Sequence, residues 1–75
     1  MENFNTYSIQ KFADRLFDLR KEFNLTTQKL ANAVGFSQTC ISRWERGIRE
    51  PGITAVVKLA RYFDVSVSYL LGLED

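Results

Sequence analysis

Between Gly35 and Gly47 the chain reads GFSQTCISRWERG. Gln38, Thr39, Ser42 and Arg43 bring an amide, two hydroxyls and a guanidinium into one short stretch. Such groups recognise a partner through hydrogen bonds; they do not by themselves make or break covalent bonds. Bond-making chemistry has little to work with elsewhere, because the 75 residues contain no histidine, one cysteine (Cys40) and no glycine-rich phosphate loop. No general acid–base pair or activated nucleophile can be assembled from that inventory, so no catalytic residue and no enzymatic activity are expected. A metal site would rest on carboxylates alone, and no metal, cofactor or small-molecule ligand is expected either.

The same stretch contains Ile41 and Trp44, three residues apart. A helix over 38–46 puts these two on one side and leaves the polar quartet off the apolar stripe. Other helices must supply the surface they pack on. Ser8 suits the cap of a first helix over 9–23, where Phe12, Leu16, Leu19 and Phe23 recur on one face and Asn24 fits a left-handed exit. Thr26 suits the cap of a second helix over 27–34, turning Leu30, Ala31 and Val34 inward before Gly35 ends it. Ser37 caps the third, which Gly47 closes. After the IREPG loop, Val56, Val57, Ala60 and Phe63 mark a fourth helix from Ile53, and Ser66 caps a short fifth that stops at Gly72. No alternating run is long enough for a strand, so the fold class is all-α. The expected core is Phe12, Leu16, Leu19, Phe23, Leu25, Leu30, Val34, Phe36, Ile41, Trp44, Ile53, Val56, Leu59, Ala60, Phe63, Val65 and Leu70.

Composition narrows the setting. An apolar content of 45% is that of a globular domain, and no stretch approaches the ~18 apolar residues of a spanning helix. A secreted chain this small would ordinarily be rich in cysteine, and the opening MENFNTYSIQKF lacks the pattern of a secretory leader, so a cytoplasmic protein is expected with no membrane partner. The net charge of +1 is uninformative as a total, but residues 27–52 hold Lys29, Arg43, Arg46 and Arg49 against Glu45 and Glu50. Positive charge gathers around the third helix.

A helix, a short turn containing glycine and a second helix make a helix-turn-helix, which can present its second helix to the major groove of DNA. Ala31 and Gly35 suit the close crossing and the corner. With FADRLFDLRKEFNLTTQKLANAVGFSQTCISRWERGIREPG followed by ITAVVKLARYFDVSVSYLLG, the chain resembles the phage-repressor, or XRE/Cro-type, helix-turn-helix family over about residues 12–72. That resemblance implies a compact five-helix lambda-repressor-like DNA-binding domain over 9–72, an N-terminal arm over 1–8 and a C-terminal tail over 73–75. It implies a sequence-specific transcriptional regulator, by expectation a repressor, acting on double-stranded DNA as a homodimer. Carried over by position, it makes Gln38, Thr39, Ser42 and Arg43 base contacts, with Arg43 suited to a guanine edge, Gln38 to adenine or a phosphate, and Thr39 to a thymine methyl or a phosphate. Thr27, Gln28, Ser37, Arg46 and Arg49 become phosphate contacts. Arg20 and Glu45 become a partly buried ion pair that orients the third helix.

Each of these has a plainer alternative. The quartet could be an ordinary solvated helix face, Arg46 and Arg49 surface charges, and Arg20 and Glu45 unrelated. Thr27 stands where the family commonly has a longer glutamine, so it could simply begin the second helix. Phe17 lies off the core stripe where the family usually has a polar residue; it either folds against Phe4 or Tyr7 or awaits a partner. Cys40 reads as a small packing residue more readily than as a redox switch. Tyr62, Leu71 and Leu73 fit either a dimer surface or rim packing. The rival function on the same fold is a protein-interaction module, such as an antitoxin or antirepressor-like partner.

Overall fold

The computed structural model describes residues 8–75, which form five helices: α1 (Ile9–Glu22), α2 (Thr27–Val34), α3 (Gln38–Glu45), α4 (Ile53–Phe63) and α5 (Val67–Leu70). No strand occurs among the described residues. The expected arm over 1–8, apart from Ser8, and any contact of Phe17 with Phe4 or Tyr7, lie outside them.

Local chemistry sets most helix boundaries. Thr26, Ser37 and Ser66 have extended backbones, and each accepts from the N–H three residues on, at Lys29, Cys40 and Tyr69 respectively. These hydroxyls satisfy donors that the first turn of a helix otherwise leaves unpaired. Ser8 corrects the expectation for α1: it holds the cap position, but its side chain makes no capping bond, and only its carbonyl enters the helix. The chain leaves α1 and α4 through left-handed Asn24 (φ 56°) and Asp64 (φ 58°), residue types whose short polar side chains tolerate that conformation. Three ends shift by one residue. Phe23, Arg46 and Leu71 are the C-caps of α1, α3 and α5 and not their last helical residues.

The five helices share one core. Phe12, Leu16, Leu30, Ile41, Leu59 and Leu70 are fully buried, and Leu19, Val34, Trp44, Val56, Ala60 and Phe63 complete it. Leu25, Phe36 and Val65 pack against its edge. Ala13, Ala31 and Ala55 are buried with them. Two expected members lie outside. Ile53 is 85% exposed because it is the first residue of α4, beyond the reach of the helices packed against the rest of it. Phe23 is 46% exposed at the end of α1, where its ring meets Phe63 edge-on at 4.9 Å and Tyr62 at 6.3 Å. Sequence periodicity counted both inward because neither sits in the interior of its helix, where periodicity decides facing.

Arg15 joins the two ends of the fold. Its guanidinium lies 4.1 Å from the centre of the Tyr69 ring and donates to the Tyr69 carbonyl at 2.7 Å and to the Glu74 carbonyl. The tail is thus tied to α1. Gly72 closes α5 at φ +77°, and a methyl there would meet Lys11 Cβ at 2.5 Å. Replacing Gly72 with alanine therefore combines backbone strain with a clash, and should cost about 1–3 kcal/mol in urea unfolding. An unchanged midpoint would contradict the packing of α5 on α1.

Candidate nucleic-acid interface

Helix α3 is eight residues long, too short to be stable alone in water. It is held from one side. Ile41 is fully buried, Trp44 is 4% exposed, and the Phe36 ring abuts the Trp44 indole edge-on at 5.2 Å. Gly35, at φ +80°, makes the corner from α2 and donates its N–H to the Ala31 carbonyl. The other side of α3 presents Gln38, Thr39 and Arg43 to solvent, with Ser42 half-buried beside them. Thr39 and Arg43 make no side-chain hydrogen bond among the described residues.

Gln38 is not idle. Its Nε2 donates to Thr27 Oγ1 at 3.0 Å, linking the first residue of α3 to the first residue of α2. Thr27 is half-buried by this arrangement. Gln28 is exposed, and its Nε2 donates along α2 to Asn32 Oδ1. Ser37 Oγ is engaged as the α3 cap but keeps its hydroxyl proton for an outside acceptor. Arg46 and Arg49 are exposed just beyond α3, and Lys29 is exposed on α2. Thr27, Gln38 and Ser37 thus meet at the start of the two helices, whereas Arg46 and Arg49 lie at the far end of α3.

Arg20 and Glu45 fix how α1 meets α3. Arg20 Nε donates to Glu45 Oε2 at 2.6 Å and its terminal nitrogen to Oε1 at 2.9 Å, a two-pronged contact with the side chains only 11% and 8% exposed. A third donor reaches the Leu25 carbonyl at 2.7 Å, pinning the loop between α1 and α2. The hydrogen bonds that Arg20 donates to Glu45 raise its pKa above the ordinary arginine value, with partial burial opposing and Coulomb attraction reinforcing. Because the folded-state pKa of Arg20 is the higher one, its contribution is fully present throughout the neutral range and is lost as pH rises through the strongly alkaline region. Phe17 is 44% exposed, and its ring stacks near the Arg20 guanidinium at 5.4 Å and the Lys21 ammonium at 5.9 Å.

The pairing also changes the local field. With Glu45 taken up by Arg20, Lys29, Arg43, Arg46 and Arg49 face only Glu50 within residues 27–52. Sequence reasoning did not identify Lys58, whose ammonium lies 5.4 Å from the Phe36 ring beside the α2–α3 corner. Its position on the exposed side of α4 was legible, but its closeness to α3 depends on how α4 packs. Cys40 is half-buried against the core. No cluster of three or more metal-ligating side chains occurs among the described residues. No described helix is long and apolar enough to cross a membrane.

Comparison with known proteins agrees with this fold. Residues 16–70 match the helix-turn-helix family model. The uncharacterized HTH-type transcriptional regulator YobD of Bacillus subtilis is 39% identical over 64 residues, 85% of this chain and 57% of that protein. The cryptic phage CTXphi transcriptional repressor RstR of Vibrio cholerae is 30% identical over 60 residues, 80% of this chain and 54% of its own length. Among solved structures, the P22 c2 repressor in complex with a synthetic operator superposes with a TM-score of 0.81 at 31% identity, covering 87% of this chain and 98% of that one. The chain spans about half the length of these curated relatives.

Breaking the Arg20–Glu45 pair from one side strands a charge in a mostly buried position. Arg20→Met or Glu45→Met alone should each lower stability by up to about 3 kcal/mol, and the double variant should lose less than the two together. Strict additivity in a thermal or urea double-mutant cycle would reject the coupling.

Proposed function

The chain belongs to the helix-turn-helix family, and on that premise we propose that it is a sequence-specific regulator of transcription, a repressor, that reads duplex DNA through the major groove with α3. The observation that carries this reading is the two-sided character of α3: Ile41 and Trp44 hold it from behind while Arg43, Thr39 and Gln38 stay exposed in front. In this reading Arg43 contacts a guanine edge, Gln38 an adenine, Thr39 a thymine methyl, and Ser42 supports them. Thr27, Gln28, Ser37, Arg46 and Arg49 hold phosphates and supply affinity that weakens with salt. The names of the relatives favour regulation of transcription over the rival protein-interaction module. The protein acts by binding, without catalysis or cofactor, and works in the cytoplasm.

We further propose that it binds as a homodimer, with half-sites about one helical turn apart. The support is a mostly apolar groove between the start of α4 and α5, lined by Glu50, Pro51, Ile53, Val56, Val57, Val67 and Leu71, with Ile53 and Val67 exposed.

Selection of bound duplexes from a random pool tests both parts, since a two-fold symmetric site is the expected product. Arg43→Ala should cost about 1–3 kcal/mol and relax preference at one base position of each half-site, whereas Arg46→Gln should weaken binding evenly across sequences and reduce the salt dependence by about one charge. Recovery of no preferred sequence would reject the specific reading. Val67→Glu, with the fold intact, should weaken self-association measured by sedimentation; an unaffected dimer would move the interface elsewhere.

A further inference from the structure

Phe17 lies in the interior of α1 but off its buried stripe, with 44% of its surface exposed. A ring in such a place gains only part of the benefit of burial, so its neighbours decide what it does. It stands three residues before Arg20 and four before Lys21, the spacings at which side chains meet on a helix surface. Both cations lie over its ring, within the range of cation–π attraction.

The two cations are not equivalent. Lys21 is exposed. Arg20 is mostly buried, and each of its three guanidinium nitrogens donates: Nε and one terminal nitrogen to Glu45, the other to the Leu25 carbonyl. Hydrogen bonds to a guanidinium lie in its plane and leave its faces to other neighbours. A phenyl ring has no acceptor oxygen, so Phe17 covers the cation without taking an N–H from Glu45. Glu45 is the last residue of α3, two after Arg43, so whatever holds Arg20 on Glu45 also holds the end of α3.

We propose that Phe17 is a positioning residue for α3: its ring keeps water and competing anions off the Arg20 guanidinium, so that Arg20 retains Glu45, and α3 its angle, against a polyanion. The proposal rests on the reading of α3 as the helix that enters DNA. Duplex DNA carries about one negative charge per 1.7 Å of its axis, and a phosphate accepts from a guanidinium as well as a carboxylate does. A bare Arg20 would be open to exchange of Glu45 for phosphate, loosening α3 as it docks. The ring opposes that exchange in two ways. Cation–π attraction favours the guanidinium where it is, and an apolar neighbour strengthens the pair by lowering the local dielectric.

The Arg20 Nε–H resonance reads this directly in the isotopically labelled free protein, assigned by its loss in Arg20→Lys. Phe17→Leu keeps an apolar side chain and removes the ring; Phe17→Tyr keeps the ring. In Phe17→Leu the resonance should lose its ring-current displacement, and its exchange with water should speed up as sodium chloride is added. The wild type and Phe17→Tyr should show neither change. Against a duplex recovered by the selection above, Phe17→Leu should bind about threefold more weakly with base preference unchanged, and Phe17→Tyr should bind as the wild type does. An Arg20 resonance that Phe17→Leu leaves in place, with exchange still insensitive to salt, overturns the proposal whatever happens to the melting temperature, and leaves the DNA reading intact. A moved resonance with undiminished duplex binding also overturns it, because the ring then shields the pair without positioning α3. A moved resonance in a protein whose wild type binds no duplex overturns the DNA reading and keeps only the ring's hold on Arg20.

Discussion

The fold depends on the burial of two side chains, Ile41 and Trp44, on one side of an eight-residue helix. Alone, α3 would not persist in water. Complete burial of a side chain of this size is worth about 1.5–3 kcal/mol, so the pair outweighs any intrinsic preference of the eight residues. The constraint also runs outward. Because the apolar contacts of α3 are concentrated at two positions, its remaining residues are released from packing and are free to be polar.

The ion pair between Arg20 and Glu45 adds direction to that attachment. Apolar packing resists separation of helices more than sliding or rotation, since it has no preferred angle. A two-pronged guanidinium–carboxylate contact has one. With its third donor on the Leu25 carbonyl, Arg20 locks α1, the following loop and the end of α3 into one geometry. The same contact removes Glu45 from the field around α3, so a structural pairing also leaves the exposed face more positive than its composition suggests.

Much of this was legible in the sequence because it follows from local chemistry. Recurrence of apolar residues at helical spacing located α1 to α4, hydroxyl residues marked three of the starts, and Gly35, Gly47 and Gly72 marked stops where the backbone turns left-handed. The failures share a cause. Ile53 and Phe23 sit at helix ends, where facing is set by neighbours and not by period, and Ser8 has the right residue type without making the bond. Contacts between distant segments left no local trace: Arg15 on Tyr69, Lys58 over Phe36 and the proximity of Thr27 to Gln38 arise only when helices cross.

The bond from Gln38 to Thr27 carries a thermodynamic consequence. A free glutamine side chain samples many rotamers, and immobilising it against a ligand costs up to about 2 kcal/mol of entropy. Here much of that ordering has already occurred during folding, because the amide is tethered across the corner of two helices. Whatever Gln38 touches, it meets with its orientation largely set, and the enthalpy of the new contact is correspondingly less offset by lost motion. The shorter threonine thereby serves its neighbour: it fits the corner closely enough to act as a hitching post for the longer side chain.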